Sequence, residues 1–178
     1  MKMAGDKFDF SVRWWPFQLN PSAPQRVNKM QMYTEKFGAD RCRQMLPYML
    51  ATGKADGINF SYGGDTGNTF DSHRLIHLAQ KQGKEDACVE ELFKNYFEEE
   101  KNMADRSVLL AAASKVGLEG AEAYLDSEDG TREVQQEMQT KARNVTGVPY
   151  FIITGSKSFE LSGAQTPDVF LNIFEKLK

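Results

Sequence analysis

Apolar residues fall at helical spacing along most of this chain and at strand spacing in only a few short runs. The last helix is the plainest case. Val169, Phe170, Ile173, Phe174 and Leu177 form one stripe; Thr166 stands in position to cap, Pro167 suits the first helical position and Asp168 the positive helix end. Further back, a helix is predicted over residues 28–37 with Gly38 as its stop, and another from the Asp40 cap to about Thr52, which Pro47 can kink. Asn68 caps a helix carrying Phe70, Leu75, Leu78 and Ala79. Residues 85–99 carry Val89, Leu92, Phe93, Tyr96 and Phe97, and residues 105–116 carry Val108, Leu109, Ala112 and Ala113. A shorter helix over 119–125 is followed by Ser127, expected to cap one more that runs to about Asn144.

Strand signals frame this helical middle. Residues 8–14 alternate apolar and polar side chains, the pattern of a half-buried strand, and Pro16 and Pro21 then oppose a continued ladder. Residues 58–60 read as a short extended piece inside a glycine-rich loop over 53–67. Thr146-Gly147-Val148-Pro149 leads into 150–153, a run suited to a buried strand at the centre of the fold. Gly147 loosens the backbone, and Pro149 opens the strand where no ladder donor is needed. An X-Pro bond is cis only about 5–6% of the time, so Val148-Pro149 alone marks a loop-to-strand junction. Turn-forming residues 154–157 connect to a partner strand over 158–161, and Ser162-Gly163-Ala164-Gln165 joins that strand to the last helix. The chain therefore ends strand, strand, helix.

Length and charge narrow the classes. A chain of 178 residues can bury one good core, or a small domain with a helical insertion. A net charge of −3 without a basic run argues against nucleic acid and anionic membranes as partners. No apolar run approaches a membrane span, and the start lacks a basic-plus-apolar signal pattern, so the expected location is cytoplasmic.

Candidate chemistry is sparse. The two cysteines, Cys42 and Cys88, are far apart and form no Cys-x-x-Cys pair that would supply an attacking thiol and its resolving partner. Each shares helical spacing with apolar neighbours, Met45, Leu46, Met49 and Leu50 for Cys42, Leu92 and Tyr96 for Cys88, so both are read as inert core residues. His73 and His77 share a helix face, but no third ligand completes a metal set. Gly63-Gly64-Asp65-Thr66-Gly67 lacks the Gly-Lys-Ser/Thr ending of a phosphate loop. The run from Glu98 to Lys101 reads as a solvated helix end, and no Ser/His/Asp order or dinucleotide fingerprint occurs.

Gly-Val-Pro before one strand and Ser-Gly-Ala-Gln between the next strand and the helix resemble the DsbA-like thioredoxin fold. The resemblance runs from about Phe8 to the end and is nearest to the FrnE-like branch, related to 2-hydroxychromene-2-carboxylate isomerases and kappa-class glutathione transferases. Pro-Phe-x-Leu-Asn-Pro over 16–21 and Asn-Thr-x-x-x-His-Arg over 68–74 match stretches of that branch. The resemblance implies an α/β fold: an incomplete thioredoxin-like unit, 1–21 with 146–178, interrupted by a large all-helical insertion, 22–145. The family's first strand, Cys-Pro-x-Cys motif and the helix it opens would lie before residue 8, where only seven residues stand. That first strand lies between 8–14 and 150–153 in the family unit. Its absence predicts one of three compensations: direct pairing of those two segments, a strand from another copy in a homodimer, or a strand-donating partner chain.

The implied function is that of a relative of thiol-disulfide oxidoreductases and isomerases that is redox-inactive as this chain alone. The alternatives are a non-catalytic binding or assembly protein and a glutathione-dependent isomerase or transferase. No catalytic residue and no metal ligand is assigned. The resemblance places substrate contacts at Val148 and a cis Pro149, at Ser162, Gly163 and Gln165, and at Asn68 and Thr69 on the start of the insertion helix. The substrate it implies is a peptide or a glutathione-like thiol, with glutathione the one small-molecule partner considered and no bound cofactor. The simpler reading of Asn68 and Thr69 is a capped helix.

Overall fold

In the computed structural model, which describes residues 2–177, the chain divides into two units: Asn20–Gln136, and Met1–Leu19 with Glu137–Lys178. The fold is mixed α/β with helices predominating and few strands.

In the unit Asn20–Gln136, a two-residue ladder joins β1 (Val27–Asn28) to β2 (Asp65–Thr66), antiparallel, with Val27 opposite Thr66. Asn28 then turns from extended backbone into α1 (Lys29–Phe37), its side chain accepting from the Gln31 N–H at 3.0 Å. Gly38, at φ 83°, ends α1 by donating its N–H to the Thr34 carbonyl and opens α2 (Ala39–Ala55), which carries Pro47 inside it. There follow α3 (Phe70–Lys81), α4 (Glu85–Phe97), α5 (Arg106–Lys115), α6 (Ala121–Asp126) and α7 (Thr131–Lys141). Asp105 caps α5 by accepting from the Ser107 N–H at 2.8 Å. The core is made by the inward faces of four of these helices: Leu75 and Ala79 of α3, Cys88 and Leu92 of α4, Leu109, Ala112 and Ala113 of α5, and Ala121, Tyr124 and Leu125 of α6. Burying a leucine of this kind is worth about 1.5–3 kcal/mol.

Two buried cations close the helix ends that this core leaves open. The carbonyls of the last turn of α4 have no intrahelical partner. Lys94 O accepts from the Glu98 and Glu99 N–H groups, Asn95 O from Lys101, Phe97 O from Ser61, and Tyr96 O from the Lys29 ammonium at 2.7 Å. Arg74, from α3, does the same for α6: its guanidinium donates to Tyr124 O at 2.8 Å, Leu125 O at 3.5 Å, Ser127 O, and Asp129 O from both Nε and Nη2. An Asp71 oxygen on its own helix, 2.9 Å away, balances its charge.

The glycine-rich loop has a packing role. A Cβ on Gly64 would run into the Glu100 carbonyl, a Cβ on Gly63 into the Glu100 carboxylate, and a Cβ on Gly67 into the Gln25 carbonyl. Gly64 also sits at φ 74°, and Glu100 itself at φ 58°. Gly64→Ala is therefore expected to cost roughly 1–3 kcal/mol, from left-handed strain plus the clash, read as a lowered denaturant midpoint. Gly57→Ala, also at positive φ but facing open space, separates the two contributions: a variant as costly as Gly64→Ala would show that the clash adds nothing.

In the other unit, β3 (Tyr150–Thr154) and β4 (Ser158–Ser162) form an antiparallel hairpin, Tyr150 opposite Ser162 and Ile152 opposite Glu160. The terminal helix α8 (Pro167–Lys176) begins with Pro167 as expected, although the Thr166 side chain makes no cap bond. Phe170 meets Phe151 of β3 edge-on at 5.0 Å, and Ile173 is buried. Phe8 and Phe10 bring their rings to Phe174, at 5.8 and 4.9 Å.

Several expectations are corrected here. Residues 8–18 carry no regular secondary structure, so 8–14 is not a strand, and direct pairing of that segment with β3 does not occur. The alternation has another cause: the rings of Phe8 and Phe10 are spent on α8. β3 is half-buried where a buried central strand is expected, with Ile152 51% exposed, because β4 is its one ladder partner among the described residues. Residues 58–60 form no strand; their neighbour Ser61 is committed to the end of α4. Ser127 does not cap the next helix. Its hydroxyl donates to Tyr124 O and accepts from the Asp129 N–H, and α7 starts at Thr131. No helix among the described residues is long and apolar enough to cross a membrane.

Candidate functional site

The entry to β3 is built by backbone. The Val148–Pro149 peptide bond is cis, and Val148 is half-exposed. The Gly163 N–H donates to Pro149 O at 2.9 Å, which adds one bond beyond the Tyr150–Ser162 pair that ends the hairpin. Gly163 can then turn the chain at φ 82°, a conformation that favours glycine, and the Gln165 side-chain amide donates back to Ser162 O at 3.2 Å. Val148, Pro149, Ser162, Gly163 and Gln165 thus meet at one end of the β3–β4 hairpin. Tyr150, the first strand residue, gives its hydroxyl to Glu160 across the ladder, and that bond raises the phenol above its ordinary range. What the arrangement offers a ligand is main-chain polarity and an exposed valine beside a strand edge that no other described strand covers.

Asn68 and Thr69 lie in the unit Asn20–Gln136. The Asn68 amide donates to Pro21 O at 2.9 Å, its oxygen accepts from the Phe70 N–H at 2.9 Å, and its own N–H donates to Pro24 O at 3.0 Å. Thr69 occupies the cap position, one residue later than expected, and its carbonyl accepts from the Ser72 hydroxyl and the His73 N–H. These bonds fasten residues 21–24 to the start of α3. Arg74, six residues on in the same stretch, is consumed by the end of α6.

Both cysteines are buried away from solvent. Cys42 is 2% exposed and Cys88 fully buried, both as free thiols. Burial, helped by Glu85 and Glu91, pushes the Cys88 thiol up to about 12, so almost none of it is thiolate at neutral pH. His77 is buried on α3, and no group of three His, Cys, Asp or Glu among the described residues is disposed to hold a metal.

A strand opened by a cis-proline, its hairpin partner and a terminal helix against it define the carboxy-terminal part of a thioredoxin-like α/β protein. The chain belongs to the DSBA-like thioredoxin domain family, whose model matches residues 1–175. It is 27% identical over 166 residues to the uncharacterized protein YwbO of Bacillus subtilis (strain 168), covering 91% of this chain and 80% of that protein. It is also similar, at TM-score 0.79 and 26% identity, to the crystal structure of a probable DsbA oxidoreductase, SCO1869 from Streptomyces coelicolor. That match covers 90% of this chain and 72% of the other.

Proposed function

We propose that this chain provides the substrate-contact side of a DsbA-type thiol-disulfide site and, having no Cys-x-x-Cys pair, turns over no disulfide by itself. The observation that carries this reading is the meeting of Val148–Pro149 with Ser162–Gln165 at an open strand edge, in a chain whose two thiols are buried. The ligand is an extended peptide bearing a thiol or disulfide, received by backbone hydrogen bonds as an added strand; glutathione is the shortest such peptide. Thiolate attack on a disulfide requires an accessible thiolate, and neither Cys42 nor Cys88 meets that need. The segments over 16–21 and 68–74 support a place near the FrnE-like branch.

The test is insulin reduction in dithiothreitol or glutathione. The expected rate with the protein equals the uncatalysed rate, and Cys42→Ser and Cys88→Ser leave it unchanged. Turnover that either substitution abolishes contradicts the proposal. In parallel, titration with oxidised glutathione should move the amide resonances of Val148 and Gly163. A second reading, a binding or assembly protein, is favoured by the exposure of Val148 and Ile152 along the same edge. Static light scattering over a concentration series separates a second copy on that edge from a monomer that binds peptide.

A further inference from the structure

An apolar groove of about 500 Å³ lies wholly within the unit Asn20–Gln136 and shares no residue with the site above. Its floor is aromatic. Phe93 and Phe97, one helical turn apart on α4, meet edge-on at 5.8 Å, and Phe60 meets Phe97 the same way at 5.7 Å. Ile58, Phe93 and Phe97 are 37%, 45% and 36% exposed, an unusual concentration of large apolar surface beside a well-packed core. The rim is acidic: Glu90, Glu91 and Glu98 face one cation, Lys94. Lys94 shares Glu99 with Lys101, at 3.1 and 2.6 Å, so its charge is partly answered outside the groove. Glu91 is answered by Lys115 at 2.6 Å, which leaves Glu98, fixed by accepting from the Asn59 N–H at 3.1 Å, and Glu90, exposed on the adjoining turn, as the carboxylates that face a ligand.

We infer that this groove is a docking site for a basic peptide segment of a partner protein, an aliphatic anchor flanked by arginine or lysine. The aromatic floor rewards burial of the anchor, and ring faces next to carboxylates suit a guanidinium or ammonium through cation–π and charge-assisted hydrogen bonds. The same rim repels an acidic segment and disfavours nucleic acid. The volume falls within the range of small-molecule pockets, which is room for the anchor side chain and its neighbours.

The test uses the full chain and two acetylated, amidated peptides in calorimetry: Arg-Leu-Lys-Leu-Arg and its acidic counterpart Glu-Leu-Glu-Leu-Glu. The basic peptide is expected to bind with micromolar affinity at low salt and to weaken at least threefold in high salt; the acidic one is expected not to bind. Phe93→Ser and Glu90→Lys should each weaken the basic peptide about tenfold. Glu90→Lys alters a solvent-facing side chain, so it decides the matter if Phe93→Ser perturbs folding. Failure of the basic peptide to bind, equal binding of both peptides, or unchanged binding by Glu90→Lys overturns the inference. So does a concentration-dependent dimer that Phe93→Ser abolishes, since the groove would then be covered by a second copy.

Discussion

Arg74→Ala is expected to destabilise the unit Asn20–Gln136 by roughly 3–5 kcal/mol, with a fall in melting midpoint of about 10 °C. The guanidinium is 6% exposed and donates to the carbonyls of Tyr124, Leu125, Ser127 and Asp129, the last turn of α6 and the loop after it. Removing it strands the buried Leu125 carbonyl and leaves Tyr124 O with the Ser127 hydroxyl alone, and the cost of an unmet buried acceptor exceeds the net gain of a made bond. The ion pair with Asp71 is the smaller part, because without it the guanidinium keeps its four carbonyl acceptors. Asp71→Asn should therefore cost less than Arg74→Ala. Arg74→Lys should recover only part of the loss, since one ammonium cannot span acceptors that the planar fork reaches together. Denaturant unfolding of the three variants checks this ranking; equal losses for Arg74→Ala and Asp71→Asn would locate the effect in the ion pair.

Arg74 also shows how far local sequence reaches. The starts of α1, α5 and α8 fall within a residue of where the apolar stripes put them, whereas the caps expected at Asp40 and Ser127 are not used, α2 starting from Gly38 and α7 at Thr131. The hairpin was legible because Gly155 and Ser156 separate two short β-prone runs. The false strand at 8–14 had the right period, but period cannot distinguish a ladder from rings laid on a helix. The β1–β2 ladder is two residues long, too short to leave any period. Within the candidate site, it is the family resemblance that names Val148–Pro149 and Ser162–Gln165, and the Gly163 to Pro149 bond explains why they coincide in space. Asn68 and Arg74 are occupied by helix ends because their partners come from residues 21–24 and 124–129, separations that local sequence does not encode.

Lys29 is hidden from local sequence for a related reason, since a lysine at the start of a helix reads as solvated, yet it is 1% exposed. Its ammonium lies 4.0 Å from the Tyr96 ring centroid and donates to Tyr96 O. Lys29→Ala removes a large buried side chain and uncaps α4, and is expected to cost about 2–5 kcal/mol. Lys29→Met keeps most of the volume and should cost about 1–2 kcal/mol for the carbonyl it leaves unanswered. Burial lowers the Lys29 pKa from its ordinary 10.5, against an opposing pull from Glu100. Between the lowered folded value and 10.5 the unfolded chain binds more protons than the native one, so this group makes stability rise with pH through that window. Tyr33, raised to about 12 by burial, acts in the opposite sense above pH 10, so the comparison must be made against Lys29→Met at each pH, where the tyrosine contribution cancels. The wild-type advantage over Lys29→Met should widen as pH climbs toward 10.5 and then level off. A gap that stays flat would mean that the ammonium is as well solvated in the native protein as in the unfolded chain, and that α4 is closed by an amine whose charge is irrelevant to its stability.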